Sequence, residues 1–281
     1  LGHKKVIKAI LKEPIGIPTV VSFWPHPREV LFGESRLRLD LPSEKTLLLE
    51  PLGIEQLVLV PFNKTLASKS AETFANEILV KTLHAKHIAV GENFKFGRNR
   101  EGDIFTLKKI GASLGIKISI IPILEDHDGR LSSSRIRKAL NDGDLEQAKY
   151  LLNRPYTFQG NVERGKGLGK KIGWPTANLK IDGRKFLPSL GVYAAWASIA
   201  NKKERFFAVM NLGPQPTIDP NSSSIAEVHL LEKEIDLLGK ELTIEPVKRI
   251  RLQKKFKDLE ALSNQINADA KLAKEILSKN L

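Results

Sequence analysis

The chain has 281 residues, 41% hydrophobic and 27% charged, an ordinary globular balance that excludes a disordered polymer and leaves apolar material for about two domains. It has no cysteine, which removes disulfides, thiol nucleophiles and cysteine metal sites and fits a reducing cytoplasm. The net charge of +13 is spread over both halves and suits anionic small ligands such as nucleotides better than nucleic acid, and the longest apolar stretch, Thr46 to Phe62, is broken by Glu50, Pro51, Gly53 and Glu55, so no membrane helix is expected.

In chain order, Ile17–Phe23 reads as a β-rich run ending at Pro25, Ser43 as the cap of a short helix through Leu49, and Gln56–Val60 as a buried strand. Ser70–Leu83 has helical spacing through Phe74, Ile78, Leu79 and Leu83; His87–Val90 is a short strand. Asp103–Leu114 is helical and stopped by Gly115, Ile116–Ile123 is a strand, and Ser133–Leu140 and Asp144–Leu152 are short helices. Alternating strands and helices predict a parallel, doubly wound sheet covered by helices. Asn153-Arg154-Pro155 marks a boundary, giving domains 1–153 and 154–281. Tyr156–Arg164, Val192–Ile199, Phe206–Leu212, Ile225–Leu231 and Leu242–Ile250 then read as strands with no helix between them, which predicts an antiparallel barrel. Asp258–Leu281 closes as a long helix, with Leu259, Leu262, Ile266, Leu272, Ile276 and Leu277 as its apolar side.

The strongest local signal runs from Gly165 to Asn178. Gly165, Gly167, Gly169 and Gly173 let backbone amides approach a ligand and form a nest for phosphate oxygens, and Lys166, Lys170 and Lys171 add positive charge. Thr176 and Asn178 supply two oxygen ligands one residue apart, which suits a hard cation bridging phosphates. The spacing is neither a Walker loop nor a dinucleotide fingerprint, and a hairpin with solvated lysines explains the same residues. On a strand Glu227 and His229 share a face opposite Val228 and Leu230. Glu227 is then either a base for an attacking hydroxyl or part of a solvated edge.

Ser132, Ser133 and Ser134 open a helix whose free amides, with Arg135 and Arg137, form an anion site; the plainer reading is a serine cap with two exposed arginines. Gly91-Glu-Asn-Phe-Lys-Phe-Gly97 follows a strand, where open parallel sheets bind ligands, and Phe23-Trp-Pro-His-Pro27 holds an equivalent place. Asp126-His-Asp-Gly129 resembles the start of a calcium loop, but its twelfth position is Arg137, so a turn is expected.

Taken together these segments resemble the bifunctional bacterial riboflavin kinase/FMN adenylyltransferase family. Phe23–Pro27, Gly91–Gly97 and Leu131–Arg137 are similar to its adenylyltransferase module. Gly173–Asn178, Leu190–Tyr193, Val209–Gly213, Pro216-Thr217, Glu227–Leu231 and Arg251–Phe256 are similar to its kinase module. The resemblance implies a nucleotidyltransferase-like (Rossmann-like) parallel-sheet domain followed by an antiparallel β-barrel with a C-terminal helix. It implies an enzyme of the cytoplasm, acting on riboflavin, FMN and ATP with Mg²⁺, without nucleic-acid or membrane partners and with homo-oligomerisation left open. In the kinase half Thr176 and Asn178 would bind Mg²⁺ and phosphate, Glu227 would be the base, the Gly165–Gly173 loop would close over ATP, and Arg251 and Phe256 would hold the flavin. In the other half Gly2, His3, Ser132–Ser134, Arg135 and Arg137 would serve ATP and the transferred charge, and Asn93 and Phe94 the flavin. Lys170 stands where the family usually has arginine, which keeps the charge but loses the planar fork.

The family pattern opens with a strand, a glycine-rich turn and a His-x-Gly-His motif, of which Leu1-Gly2-His3 matches only the last three positions. The expectation is a sequence lacking that first strand and first histidine, with a complete kinase half and with adenylylation by these 281 residues in question. A riboflavin kinase with an inert N-terminal domain, and a non-catalytic nucleotide- or RNA-binding protein, are the competing readings.

Overall fold

The computed structural model describes residues 2–34, 37–164, 173–200, 202, 204–213, 224–233 and 235–279. They gather into two compact units, Leu1–Arg36 with Lys45–Leu131, and Leu37–Glu44 with Ser132–Leu281.

The first unit is built on parallel strands in two pairs. Strand β1 (Thr19–Trp24) pairs with β2 (Gln56–Pro61), and β3 (His87–Gly91) pairs with β4 (Lys117–Ile121). Parallel neighbours need a helical crossover, which the helix Ile104–Leu114 supplies between β3 and β4. Asp103 caps it, accepting from the amides of Phe105 and Thr106, and Gly115 ends it in the left-handed region. The helix expected over 70–83 starts at its cap Ser70, runs as α-helix over Ala71–Phe74 and widens into a π-helix over Ala75–Thr82. A helix over Gly2–Lys12 was not expected. Its half-buried Val6, Ile7 and Ile10 carry the period of one helical face. The core of the unit gathers Ala71, Phe74, Val90, Phe96 and Leu107, with Phe23, Phe94, Ile104 and Ile118 packed against them. Asp126–Gly129 is the turn of a two-residue-per-strand hairpin, β5 (Glu125–Asp126) with β6 (Gly129–Arg130), in which Asp126 accepts from the Asp128 amide.

The second unit holds a closed six-stranded barrel in the order β10-β11-β8-β7-β12-β9. Its strands are β7 (Phe158–Glu163), β8 (Ala177–Ile181), β9 (Gly191–Ile199), β10 (Arg205–Leu212), β11 (Ser224–Leu230) and β12 (Glu241–Arg251). Five were expected. The sixth, β8, is only five residues long and begins inside the segment read as a phosphate loop. Period-2 alternation fills the inside of the barrel with Phe158, Leu179, Tyr193, Met210, Leu212, Val228, Leu242 and Ile244, all nearly inaccessible. The interior is therefore a solid core, and polar chemistry is left to the outer wall.

The helix Leu259–Ser278 lies on that outer wall. Its Ala270, Ala273 and Leu277 pack with Val192, Ala194, Trp196, Val209 and Leu231. The expected apolar side included Leu259 and Leu272, but these are 64% and 41% exposed. The two alanines set the contact face, because small side chains let the helix approach the strands closely.

Residues 132–153, expected in the first domain, gather by contact with the barrel. The Ser189 amide donates to Leu140 O, and the Arg249 guanidinium donates to Asp142 O at 3.1 Å. Residues 37–44 join the same unit through a buried ion pair. Lys185, fully buried, donates to Glu44 Oε2 at 2.7 Å and to the carbonyls of Leu39 and Thr157 at 2.6 and 2.8 Å, with its ammonium 4.8 Å from the Tyr156 ring centre. Glu44 also accepts from the amides of Leu41 and Gln159, and Arg154 pairs with Asp40 at 2.6 Å.

Candidate active site

Register organises the polar residues of the barrel wall. Around the barrel Arg251 lies opposite Val192, Val192 opposite Asn211, Asn211 opposite Glu227, Glu227 opposite Asn178, and Asn178 opposite Glu163. Directly opposed residues share a face, so these six form one row on the outside, beginning under the helix at Val192 and running open at Glu227. Asn178 and Glu227 are thus lateral neighbours on one open face, not walls facing across an internal cavity. Ala226 and Val228, on either side of Glu227, are buried in the barrel, which fixes the carboxylate outward.

Asn211 Nδ2 lies 3.4 Å from Glu227 Oε2, and Gln253 Nε2 donates to Asn211 Oδ1 at 2.8 Å. A short amide chain therefore leads from the segment after β12 to the carboxylate. Thr176 is exposed just ahead of β8, and Gly173 is exposed in the left-handed region at φ 79°. His229, on the Glu227 face, donates from Nδ1 to the Pro175 carbonyl at 2.6 Å and meets the Trp174 ring edge-on at 4.8 Å. Gly165, Gly167, Gly169 and Lys170 lie outside the described residues.

Arg251 has a structural engagement that its sequence position did not suggest. Its Nε donates to both carboxylate oxygens of Asp269 at 3.0 Å and its Nη2 to Oδ2 at 2.7 Å. Asp269 is 3% exposed and also accepts from Gln265. A planar fork on a buried carboxylate is a strong tie, and here it joins β12 to the long helix. Arg251 also stands 5.7 Å from the centre of the half-buried Phe256 ring.

In the same unit the helix Ser133–Asp142 begins at its cap Ser132, whose Oγ accepts from the Arg135 amide at 3.3 Å. Ser133 and Ser134 are exposed in its first turn. Arg137 donates to Ser133 O and to Leu37 O at 3.3 and 3.2 Å and lies 5.7 Å from the centre of the Phe186 ring, while Arg135 is half-buried.

In the first unit Gly2 and His3 open the helix Gly2–Lys12, with His3 exposed. Asn93, with its amide oxygen turned toward Arg130, accepts from that guanidinium at 2.7 and 3.2 Å. Phe94 stacks on Phe96 with ring centres 5.5 Å apart. Gly97 has φ 73°, and a Cβ there would lie 2.6 Å from the Ala71 amide nitrogen. The second glycine of the Gly91–Gly97 motif is thus demanded by backbone conformation and close approach. His26, in the Phe23–Pro27 segment, caps the helix Pro27–Phe32 and accepts from the Arg28 amide.

Sequence reasoning missed Asn211 and Gln253 as neighbours of Glu227 and missed the His229 contact with Pro175. Strand register sets Asn211 beside Glu227, while Gln253 and Pro175 reach the site from segments beyond the paired residues, and sequence spacing reports neither.

A parallel-strand nucleotidyltransferase-like domain, followed by a filled barrel with an open row of carboxylate and amide groups, defines a two-module nucleotide-using transferase. Family models agree: one described as FAD synthetase matches residues 1–135, and one described as riboflavin kinase matches residues 152–277. The bifunctional riboflavin kinase/FMN adenylyltransferase of Escherichia coli strain K12 is 34% identical over 98% of this chain and 88% of its own length. That of Bacillus subtilis strain 168 is 36% identical over 96% and 86%. A Streptococcus pneumoniae crystal structure, titled as a macrolide-efflux protein, superposes with a TM-score of 0.83 at 30% identity, covering 97% of this chain and 89% of that one. The chain belongs to the bifunctional riboflavin kinase/FMN adenylyltransferase family, ATP-dependent enzymes of flavin biosynthesis, and carries both of its domains.

Proposed function

We propose that riboflavin is phosphorylated on the outer wall of the barrel, at the row Asn178–Glu227–Asn211, and that the resulting FMN is adenylylated by the second set of residues. The observation that carries the kinase reading is the direct register of Glu227 against Asn178 on one open face. Glu227 accepts the proton of the ribityl 5′-hydroxyl as its oxygen bonds to the γ-phosphorus of ATP and ADP leaves. Phosphoryl transfer asks for position and charge compensation rather than covalent help, so a single carboxylate held outward by buried neighbours is sufficient as base.

The donor set fits Mg²⁺: the Thr176 hydroxyl and the Asn178 amide oxygen are hard oxygen ligands, with the Glu227 carboxylate beside them. Thr176 and Asn178 would hold the ion, which when bound neutralises phosphate charge. Gly165–Gly173 is assigned to ATP on its glycines and lysines alone, and Phe256 offers the flavin an apolar surface. Arg251 serves the flavin through its position beside Phe256 while its fork stays on Asp269.

For adenylylation, a phosphate oxygen of FMN bonds to the α-phosphorus of a second ATP and pyrophosphate leaves. That nucleophile is already anionic, so the requirement is positive charge and amide donors at the transition state. Ser132–Ser134, Arg135 and Arg137 supply these, and the assignment of Gly2, His3, Asn93 and Phe94 to nucleotide and flavin rests on the family resemblance alone. We place the protein in the cytoplasm. No helix among the described residues is long and apolar enough to cross a membrane.

The test is incubation of the full chain with riboflavin, ATP and Mg²⁺ and separation of the flavins. FMN formation supports the kinase assignment, and its absence from folded protein removes it. FAD formation supports the second step, and FMN without FAD removes that step for this chain.

A further inference from the structure

The ladder between β8 and β11 stops one residue short of where the proposed site needs it. Its last pair is Ala177 with Val228. The next would set Thr176 opposite His229, but no strand pairing is present there, and Pro175 brings no N–H to a ladder. The backbone that carries Thr176 is held by a side chain instead. His229 Nδ1 lies 2.6 Å from the Pro175 carbonyl. A carbonyl only accepts, so Nδ1 carries the proton. The Trp174 ring, which packs against the cluster under the long helix, closes on the imidazole edge-on at 4.8 Å.

We infer that His229 is a positioning residue for phosphoryl transfer: its Nδ1–H to Pro175 bond sets Thr176 and Asn178 at a fixed place beside Glu227. The inference rests on the kinase reading above and goes beyond it by assigning the element that aligns the phosphate-binding pair with the base. Glu227 and His229 project from the same face of one strand, two residues apart. The middle of that strand therefore carries the base, and its C-terminal end anchors the segment that meets the nucleotide. His229 touches no reacting atom in this role.

The experiment compares His229→Leu, His229→Asn and Glu227→Gln in the full chain, measuring kcat and KM for MgATP and for riboflavin. An asparagine amide can place a donor near the Nδ1 position, whereas leucine cannot. The expected result is a rise of about fivefold in the KM for MgATP in His229→Leu, the factor a typical hydrogen bond is worth. The riboflavin KM stays unchanged, and most of the loss is recovered in His229→Asn. Equal losses in both variants, or a change confined to the riboflavin KM, overturn the inference while leaving the kinase reading intact. Full activity in Glu227→Gln overturns the kinase reading and the inference with it. If His229→Leu fails to fold, His229→Gln replaces it; its amide sits one bond further out, and a MgATP KM equal to that of the unmodified chain overturns the inference.

Discussion

Removing Glu44 should destabilise the barrel unit far more than removing an ordinary surface acid. In Glu44→Ala the Lys185 ammonium keeps the carbonyls of Leu39 and Thr157 but loses the carboxylate it is hydrogen-bonded to in a fully buried position. The amides of Leu41 and Gln159 lose their acceptor at the same time. Deleting one member of a buried pair costs about 3–5 kcal/mol, against about 0–1 kcal/mol for an exposed pair. Burial already holds the Lys185 pKa below the ordinary lysine range, with the Glu44 charge opposing that shift. Without Glu44 the depression deepens. Between the folded and unfolded pKa values the unfolded chain then binds more protons, so the variant's stability recovers as pH rises through that window. The assay is denaturant unfolding followed by tryptophan fluorescence, with Trp24 replaced by Phe so that Trp174 and Trp196 report on the barrel unit alone. A double-mutant cycle with Lys185→Met and Glu44→Leu isolates the pair term, the double variant losing less than the sum of the singles. A loss below about 1 kcal/mol in Glu44→Ala, or strict additivity, would refute the reasoning.

Glu227→Gln should cut riboflavin phosphorylation by about 10²–10⁴-fold, the usual contribution of a general base, while ATP binding measured by calorimetry is retained. Asn178→Ala should weaken ATP binding only when Mg²⁺ is present, by about tenfold, and calorimetry with and without the ion checks it. Hydrogen bonds from the Thr106 amide and then its hydroxyl hold the Asp103 pKa below the usual carboxylate range. Its capping contribution is therefore full above that range and fades as pH falls through the depressed value. Asp103→Asn, an equally good cap, should lose less stability on acidification than the unmodified chain. Gly97→Ala should cost about 1–3 kcal/mol from strain at positive φ, more if Ala71 cannot shift, read as a drop in the melting temperature of the first unit.

Much of this architecture was legible because periodicity reports burial directly. The strands over 56–60, 87–90, 192–199 and 206–212, and the helices capped by Asp103 and Ser132, follow from alternation and cap chemistry alone. Strand β8 escaped because Ala177–Ile181 is short and its first residues carry the polar motif, so only Leu179 and Ile181 announce an inner face. The face of the long helix was misjudged because leucine was weighted above alanine, whereas close packing on a barrel favours the smaller side chain. Glu227 and Asn178 were legible as chemistry, but their adjacency is a property of register. Lys185 gave no signal at all: a lone lysine in a turn reads as solvated until a carboxylate 141 positions earlier is found beside it.

That separation has a consequence for how the protein comes into being. Leu37–Glu44 leaves the ribosome long before the strands it serves, since Glu44 meets Lys185 only after the first unit has been synthesised. Barrel closure waits longer still, because β7 finds its partner in β12 some 80 residues downstream. The nascent chain must therefore keep an early segment available for a late docking event. Expression of residues 152–281 alone yields a polypeptide with an orphaned ammonium at its heart, one that supplying residues 37–44 as a separate peptide should help to mend.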